Sequence, residues 1–371
     1  MKILYVTTVG ITMVFFKPFV KSLLDAGHTV EIATNDAEVP VPECYREWGC
    51  VAHTIATSRS PLNRGNRVAV KQLRRLVEEN RYDIVHCHTP VAAMCARLAC
   101  RRARKRGTKV FYTAHGFHFF KGAPLKNWLL YYPVEKICSR WTDLLITINQ
   151  EDYALAQRKM KAKEVVYVPG VGVDLTKFGN ATVDRAAKRR ELGVPEDATL
   201  LLSVGELNEN KNHETIIRAM AKVDNANVYY AIAGRGPLQA RLAEIAESLG
   251  LGDRVKVLGF RADVAELCAS ADIFAFPSRR EGLGLAAIEA MCYGLPLITS
   301  NVHGINDYSE DGKTGFKNAP TDVDGFAESI KKLLEASPSK RKEIADHNRL
   351  LAQKYGLDQI LPAMKRLYSV D

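Results

Sequence analysis

Residues 278–298 read Ser-Arg-Arg-Glu-Gly-Leu-Gly-Leu-Ala-Ala-Ile-Glu-Ala-Met-Cys-Tyr-Gly-Leu-Pro-Leu-Ile, and this stretch constrains the chain more than any other. Two glycines, Gly282 and Gly284, make a turn, and Leu285 to Met291 then carry the apolar content of a helix. Gly294 and Pro296 stop that helix, since glycine just past the end and proline shortly after is the expected stop signal. Upstream, Asp-Ile-Phe-Ala-Phe-Pro over 272–277 reads as a buried strand, and residues 297–300 read as the next. Strand, glycine loop, helix, strand is a parallel α/β unit.

Two carboxylates mark this unit. Glu281 precedes the helix and Glu289 lies eight positions later within it. At about 100° per residue, eight positions come round to within roughly 80° of the start. Both acids can therefore look toward the crevice at the strand carboxyl ends, where open parallel sheets bind ligands. The backbone amides of Gly282, Leu283 and Gly284 at the helix start form a positive pole suited to phosphate. Together these describe a site for a sugar joined to a diphosphate.

Glu-x7-Glu followed by Ala-Met-x-x-Gly-x-Pro-x-Ile resembles the signature of the retaining glycosyltransferases of family 4, in particular their capsule and exopolysaccharide branch. The resemblance runs nearly end to end. It implies the GT-B fold, an α/β architecture of two Rossmann-like β/α domains facing across a cleft. The chain itself agrees with that expectation. At 371 residues it exceeds one ordinary core. Residues 1–175 and 176–355 each alternate strands with helices. The join falls near 170–181, which holds three glycines. The resemblance implies that the final helix, within 356–371, crosses back onto the first domain.

In the first half, strands are expected at 2–8, 29–34, 83–87, 109–113, 143–148 and 165–169, and helices at 18–26, 67–79, 92–106 and 131–141. In the helix at 67–79, Val68, Leu73, Leu76 and Val77 are expected on one side. Residues 35–67, with Pro40, Pro42, Pro61 and Gly65, read as irregular. In the second half, strands are expected at 200–205, 227–233 and 255–258, with helices at 212–223, 238–249, 264–270, 323–336 and 339–354.

Composition bounds the rest. No run of eighteen apolar residues is present. The apolar start at 3–16 is interrupted by Thr7, Thr8, Gly10 and Thr12, and reads as a first strand and glycine turn rather than a signal peptide. A cytoplasmic protein is expected, and the eight cysteines, with no Cys-x-x-Cys among them, fit free thiols. Residues 1–175 carry 26 Lys and Arg against 15 Asp and Glu, and the remainder 26 against 27, so the net charge of +10 belongs to the first half. Its densest run lies within 97–109. Such a half suits an anionic membrane face or an anionic substrate, or is simply a solvated helix end. Nucleic acid is not expected, since no reading helix or base-stacking platform stands out.

The resemblance assigns further positions. Lys211 matches the family lysine that holds the donor diphosphate, while Glu206 stands where the family has arginine. Arg279, Arg280 and Arg235 are the candidates to supply the missing cation. Gly234 and Arg235 match a glycine turn near the nucleotide, and Leu258, Phe260 and Arg261 a segment that cradles the base largely through its backbone. Gly10 lies where the first loop approaches the donor phosphate, and a missing Cβ permits close backbone approach. His115, in Thr-Ala-His, matches the histidine that bonds the donor sugar. His118 and His88 are acceptor-side candidates, with His86 and His88 read as alternating across a strand so that one of them faces the cleft.

No metal or cofactor is expected. Asp322-Val-Asp324 resembles the Asp-x-Asp of other sugar transferases, yet it also stands at a helix start, where an aspartate cap belongs. The resemblance implies transfer with retention from a nucleotide-diphosphate sugar, UDP-linked, carrying a hexose or N-acetylhexosamine. Nucleotide would sit on the second domain and acceptor on the first. Glu281 would orient sugar hydroxyls, Glu289 the ribose, and Lys211 with the Gly282–Gly284 amides the leaving diphosphate. The expected acceptor is a lipid-linked saccharide in capsule or exopolysaccharide assembly, met at the inner membrane face. The basic run and Phe117, Phe119, Phe120 and Trp128 are the residues that suit that surface. Two other readings stand beside it: a different enzyme on this architecture, such as a nucleotide-sugar epimerase, and a non-catalytic sugar-nucleotide binder. A dinucleotide oxidoreductase would demand Gly-x-Gly-x-x-Gly after the first strand, where the chain reads Val9-Gly10-Ile-Thr-Met.

Overall fold

The computed structural model describes residues 1–37, 39–179 and 183–368. Seven strands form the first sheet: β1 (Lys2–Val9), β2 (Thr29–Asn35), β3 (Val51–Thr54), β4 (Ile84–His88), β5 (Lys109–Ala114), β6 (Leu144–Thr147) and β7 (Glu164–Tyr167). Six form the second: β8 (Thr199–Val204), β9 (Val228–Ala233), β10 (Val255–Gly259), β11 (Ile273–Phe276), β12 (Leu297–Ser300) and β13 (Gly315–Asn318). The spatial orders are β3-β2-β1-β4-β5-β6-β7 and β10-β9-β8-β11-β12-β13, with every pairing between these strands parallel. Each order reverses once, between β1 and β4 and between β8 and β11. That is the doubly wound Rossmann pattern, whose ligands gather at the carboxyl ends beside the reversal.

The chain divides into one unit of Met1–Val171 with Ile360–Asp371 and another of Gly172–Gln359. Residues 180 and 181 of the expected join, and 369–371 of the final segment, lie outside the described residues. Each unit has its own apolar core. In the first, Leu4, Val6, Val85, Val110, Tyr112 and Leu145 of the sheet meet Leu73, Ala92, Ala96 and Phe119. In the second, Leu201, Ile232, Ile273 and Ile298 meet Ile217, Leu242, Phe326 and Ile330. The segment at 2–9 is an inner strand of the first sheet, as a run buried on both faces should be.

Several expectations need correction. The irregular stretch at 35–67 holds a short helix, Cys44–Glu47, and the edge strand β3, whose half-exposed residues give no apolar run to read. Strand β13 escapes for the same reason. Helices Gln150–Lys159 and Arg185–Glu191 are polar, and capping rather than apolar spacing announces them: Asn149 accepts from the Asp152 amide and Asp184 from the Ala187 amide. Helix Gly65–Asn80 turns Asn66, Ala69, Leu73 and Val77 inward and leaves Val68 exposed, because Val68 sits one position off the i, i+4, i+8 stripe. The basic run does not begin on the surface either. Arg97 is buried, 2.8 Å from Glu135, with its guanidinium 4.3 Å above the Tyr112 ring. Phe117, Phe119 and Phe120 are buried and Trp128 packs partly against the core, so these aromatics are not a membrane surface. All eight cysteines are free thiols, as expected.

Candidate active site

In the second unit the loop after β11 is fixed from two sides. Gly284, at the start of helix Leu285–Cys292, has φ +91°, and a Cβ there would stand 2.5 Å from the Phe276 ring. On the other side Gly304 donates its amide to the Glu281 carbonyl at 3.2 Å, and a Cβ on it would fall 1.9 Å from the Gly282 carbonyl oxygen. Among the described residues no side chain caps this helix, and a helix start of this kind suits an anion. Leu283 is buried beneath the loop.

Lys211 and Glu281, far apart in sequence, meet here. Lys211 Nζ donates to the Glu281 carboxylate at 2.7 Å and lies 4.7 Å from the centre of the Phe276 ring. The loops that carry them are laced together, Arg279 N donating to the Asn210 carbonyl at 2.8 Å and Asn210 Nδ2 to the Arg280 carbonyl at 2.9 Å. Asn212, in the left-handed region at φ 58°, sends its side-chain amide to the carbonyls of Pro277 at 3.0 Å and Pro320 at 2.8 Å. Asparagine tolerates that conformation, and sequence reading missed this residue. Glu289 projects from the same helix toward Lys177, Cys268 and Cys292, and burial raises its carboxyl to about 7.

Other donor-side positions have structural work first. A Cβ on Gly234 would stand 1.8 Å from the Gly205 carbonyl oxygen, and one on Gly236 2.4 Å from that of Leu207. These glycines thus seat the turn after β9 against the loop after β8. Leu258 and Gly259 end β10, and Gly234 N donates to the Gly259 carbonyl at 2.7 Å. Phe260 is 65% exposed beneath the guanidinium of Arg235. Arg261 is committed to Asp263 and Glu191, at 2.7 and 2.6 Å, which leaves its backbone rather than its side chain for a base. Glu206 is exposed and forms no ion pair among the described residues; Arg235 stacks on Phe260 and Arg279 Nε reaches Asn212 Oδ1 at 3.3 Å. Asp322 caps helix Val323–Glu335 by accepting from the Gly325 amide at 2.8 Å, and Asp324 pairs with Lys222 at 2.5 Å.

In the first unit the site residues follow β1, β4 and β5. Gly10 is needed for packing: a Cβ on it would stand 2.4 Å from the Val39 carbonyl oxygen, so a neighbouring loop already makes the close approach expected of phosphate. His86 and His88 do not alternate. They are two positions apart, a strand has period two, and their rings lie on one face with centroids 4.2 Å apart. His86 is held by Tyr368 through Nδ1 and by Thr113 through Nε2 at 2.8 Å, and Tyr368 also meets Tyr5 at 2.6 Å. His88 Nδ1 lies 3.1 Å from His115 Nε2. His88 Nε2 is buried with no hydrogen-bond partner among the described residues, and an unpaired lone pair is tolerated better than an unpaired N–H. The proton of His88 therefore belongs on Nδ1, donated to His115, which leaves His115 carrying its own proton on Nδ1. Burial holds all three rings neutral, lowering His86 to about 3 and His115 to about 4, and His88 far below its ordinary value.

His118 packs against Tyr131 with ring centroids 4.5 Å apart and, with Thr8, Thr12, Arg59 and Thr89, lines a cavity of about 170 Å³ at the ends of β1 and β4. Thr89 has φ 64°, a strained conformation for a β-branched residue, and its hydroxyl meets that of Thr8 at 2.6 Å. Nothing in the sequence announces that strain, since the residue before a proline ordinarily takes negative φ.

The whole constellation sits at the carboxyl ends of two doubly wound sheets, and comparison with known proteins decides its family. Residues 184–351 match the model of glycosyl transferases group 1, and residues 15–177 that of glycosyltransferase family 4. EpsD of Bacillus subtilis (strain 168) is 36% identical over 99% of this chain and 96% of its own length. The chain is a family 4 glycosyltransferase. The UDP-Gal:alpha-D-GlcNAc-diphosphoundecaprenol alpha-1,3-galactosyltransferase of Escherichia coli is 30% identical over 70% of the chain and 68% of its own length. The GT-B fold is shared with Anabaena HepE, solved in complex with UDP, at TM-score 0.82, 22% identity and 100% coverage of both chains. WaaG, a glycosyltransferase involved in lipopolysaccharide biosynthesis, superposes at TM-score 0.78 with 20% identity and 100% coverage of both.

Proposed function

We propose that this family 4 enzyme transfers a hexose or N-acetylhexosamine from a UDP-linked donor, with retention, to a lipid-linked saccharide in capsule or exopolysaccharide assembly. The observation that carries the donor side is the Lys211–Glu281 pair at the mouth of an uncapped helix start. A diphosphate entering there takes Lys211 Nζ as a partner, and Glu281, released from part of that contact, accepts from sugar hydroxyls. Glu289 accepts from the ribose hydroxyls, and the backbone around Gly259 and Phe260 cradles the base. His115 directs its Nδ1–H at the donor sugar, and His118 and the Thr8–Thr89 cavity serve the acceptor.

The bond between anomeric carbon and diphosphate oxygen breaks as the acceptor hydroxyl oxygen bonds to the same face, and the hydroxyl proton passes to the departing diphosphate. Negative charge builds on the diphosphate, where Lys211 and the helix pole meet it, so the reading requires no metal. The use of Asp322 as a cap and Asp324 as a lysine partner supports that. A UDP-linked donor and a lipid-diphosphate acceptor are favoured because relatives bear those names. The enzyme would work at the cytoplasmic face of a membrane.

The test is UDP release from a panel of UDP-sugars with lipid-diphosphate saccharides as acceptors, in the presence of EDTA. Turnover to a glycosylated lipid with retained anomeric configuration supports the reading. An epimerised sugar nucleotide as product, or tight UDP binding with no turnover on any acceptor, would sink it in favour of the epimerase or the silent binder.

A further inference from the structure

The last helix, Leu357–Tyr368, brings a polar group into the core of the first unit. Its buried residues Ile360, Met364 and Tyr368 are four apart and so share one face. From Ile360 onward the helix belongs to the first unit. At the end of that face Tyr368 is buried against Phe111, with ring centroids 5.8 Å apart. A phenol in such a place costs stability unless its hydroxyl is bonded.

That hydroxyl meets two groups at once. Tyr5 Oη lies 2.6 Å away, and His86 Nδ1 is the second partner. His86 is held on its other side by Thr113 Oγ1, 2.8 Å from Nε2. Tyr5, Tyr368, His86 and Thr113 thus form one buried polar row that ties the final helix to β1, β4 and β5. Apolar residues of the same shapes would fill this space without the cost of desolvating polar groups, so stability alone gives no reason for the row. What a bonded row supplies and packing does not is a fixed orientation for each ring.

Two of these rings lie against His88. Its ring packs on Phe16 with centroids 4.1 Å apart and on His86 at 4.2 Å, while Tyr5, opposite His86 in the sheet, stacks on it at 5.3 Å. The bond between His88 Nδ1 and His115 Nε2, at 3.1 Å, needs the His88 ring to keep its plane.

We propose that Tyr368 is a positioning residue for the transfer reaction: its hydroxyl pins the rings of His86 and Tyr5, and these hold His88 in the plane and tautomer that orient His115. The proposal rests on the reading that His115 serves the donor sugar. It adds that the last turn of the final helix acts on the reaction through two layers of side chains, without touching substrate.

The test is Tyr368→Phe in the full chain, which keeps the ring and removes the hydroxyl. Isotope-labelled histidine, read by long-range nitrogen–proton correlation, reports the tautomer of each imidazole. Wild type should show His88 protonated on Nδ1, and the variant a mixture in which the Nε2–H form appears. In the variant kcat should fall about tenfold with donor KM within about twofold, because a group is displaced and no substrate contact is lost. Tyr5→Phe leaves Tyr368 bonded to His86 and should cost about threefold, and the double variant should be no worse than Tyr368→Phe alone. An unchanged His88 spectrum in a Tyr368→Phe chain that melts cooperatively overturns the proposal. If that chain does not melt cooperatively, Tyr5→Phe carries the test, a smaller share of Nε2–H His88 supporting the proposal and an unchanged spectrum overturning it. His115→Ala keeps the two failures apart. Full activity there sinks the donor-sugar reading and the proposal with it, whereas a large loss there beside wild-type kcat in Tyr368→Phe sinks the proposal alone.

Discussion

The two units carry their functional groups in opposite ways. In the first, His86 and His88 are core residues: His86 is tied to Thr113 and Tyr368, and His88 to the half-buried His115, before any substrate arrives. In the second, the site is a glycine-lined backbone loop with one ion pair, Lys211–Glu281, still partly exposed. The difference teaches how each can act. A ring clamped by its neighbours fixes a direction and a tautomer and gains little from substrate. An ion pair at a helix pole is a charge reserve, which a diphosphate can re-partition as it binds and as charge grows on it.

The largest effect should come from breaking that reserve. Lys211→Ala should lower kcat/KM for donor by roughly 10²–10³, because it removes the cation and leaves Glu281 facing the phosphates. Glu281→Ala should retain less than about a tenth of turnover while still binding UDP. A double-mutant cycle should show the two strongly non-additive; independent effects would mean that the pair seen here does not work as a unit.

Next comes the cradle. Gly304→Ala places a methyl 1.9 Å from the Gly282 carbonyl oxygen, so the loop must move. UDP affinity should fall about tenfold or more, with a clear loss of thermal stability. Isothermal titration with UDP would show normal binding if the loop had another resting place.

In the first unit His88→Leu should cost about tenfold in kcat with little change in donor KM, since it removes the hydrogen bond to His115 Nε2 rather than a substrate contact. His88→Asn, whose amide can occupy the place of Nδ1, should recover part of the loss. A role confined to packing would show no such recovery.

Glu289 supplies a pH test. Burial raises its carboxyl to about 7, so in the free enzyme near neutrality it is partly protonated, whereas hydroxyl donors from ribose favour the carboxylate. UDP affinity should therefore strengthen as pH rises through about 7 and level off above it, and Glu289→Gln should remove the dependence. In stability the sign is reversed. Between the ordinary carboxylate value and about 7 the folded chain holds more protons than the unfolded one, so this group costs stability as pH rises.

The smallest effect sharpens the charge argument. Glu206 is exposed and unpaired among the described residues, so Glu206→Arg should tighten UDP binding by a few-fold, the modest gain of a surface charge. No gain would place Glu206 away from the phosphates.

What the sequence could determine by itself was whatever depends on local order. The run of residues 278–298 dictated strand, loop and helix because glycine, proline and apolar spacing act within a few residues, and the alternation of strands and helices along the chain followed from the same rhythm. Edge strands β3 and β13 and the polar helices stayed hidden because their stability comes from one paired side or from capping. Tertiary structure alone decided which charges are spent. It buried Arg97 on Glu135, committed Arg261 to two carboxylates, turned Phe117, Phe119 and Phe120 inward and left Leu125 and Leu129 outside. Periodicity says which residues share a face, but which face is covered depends on neighbours remote in sequence, and so does the partner each charge finds.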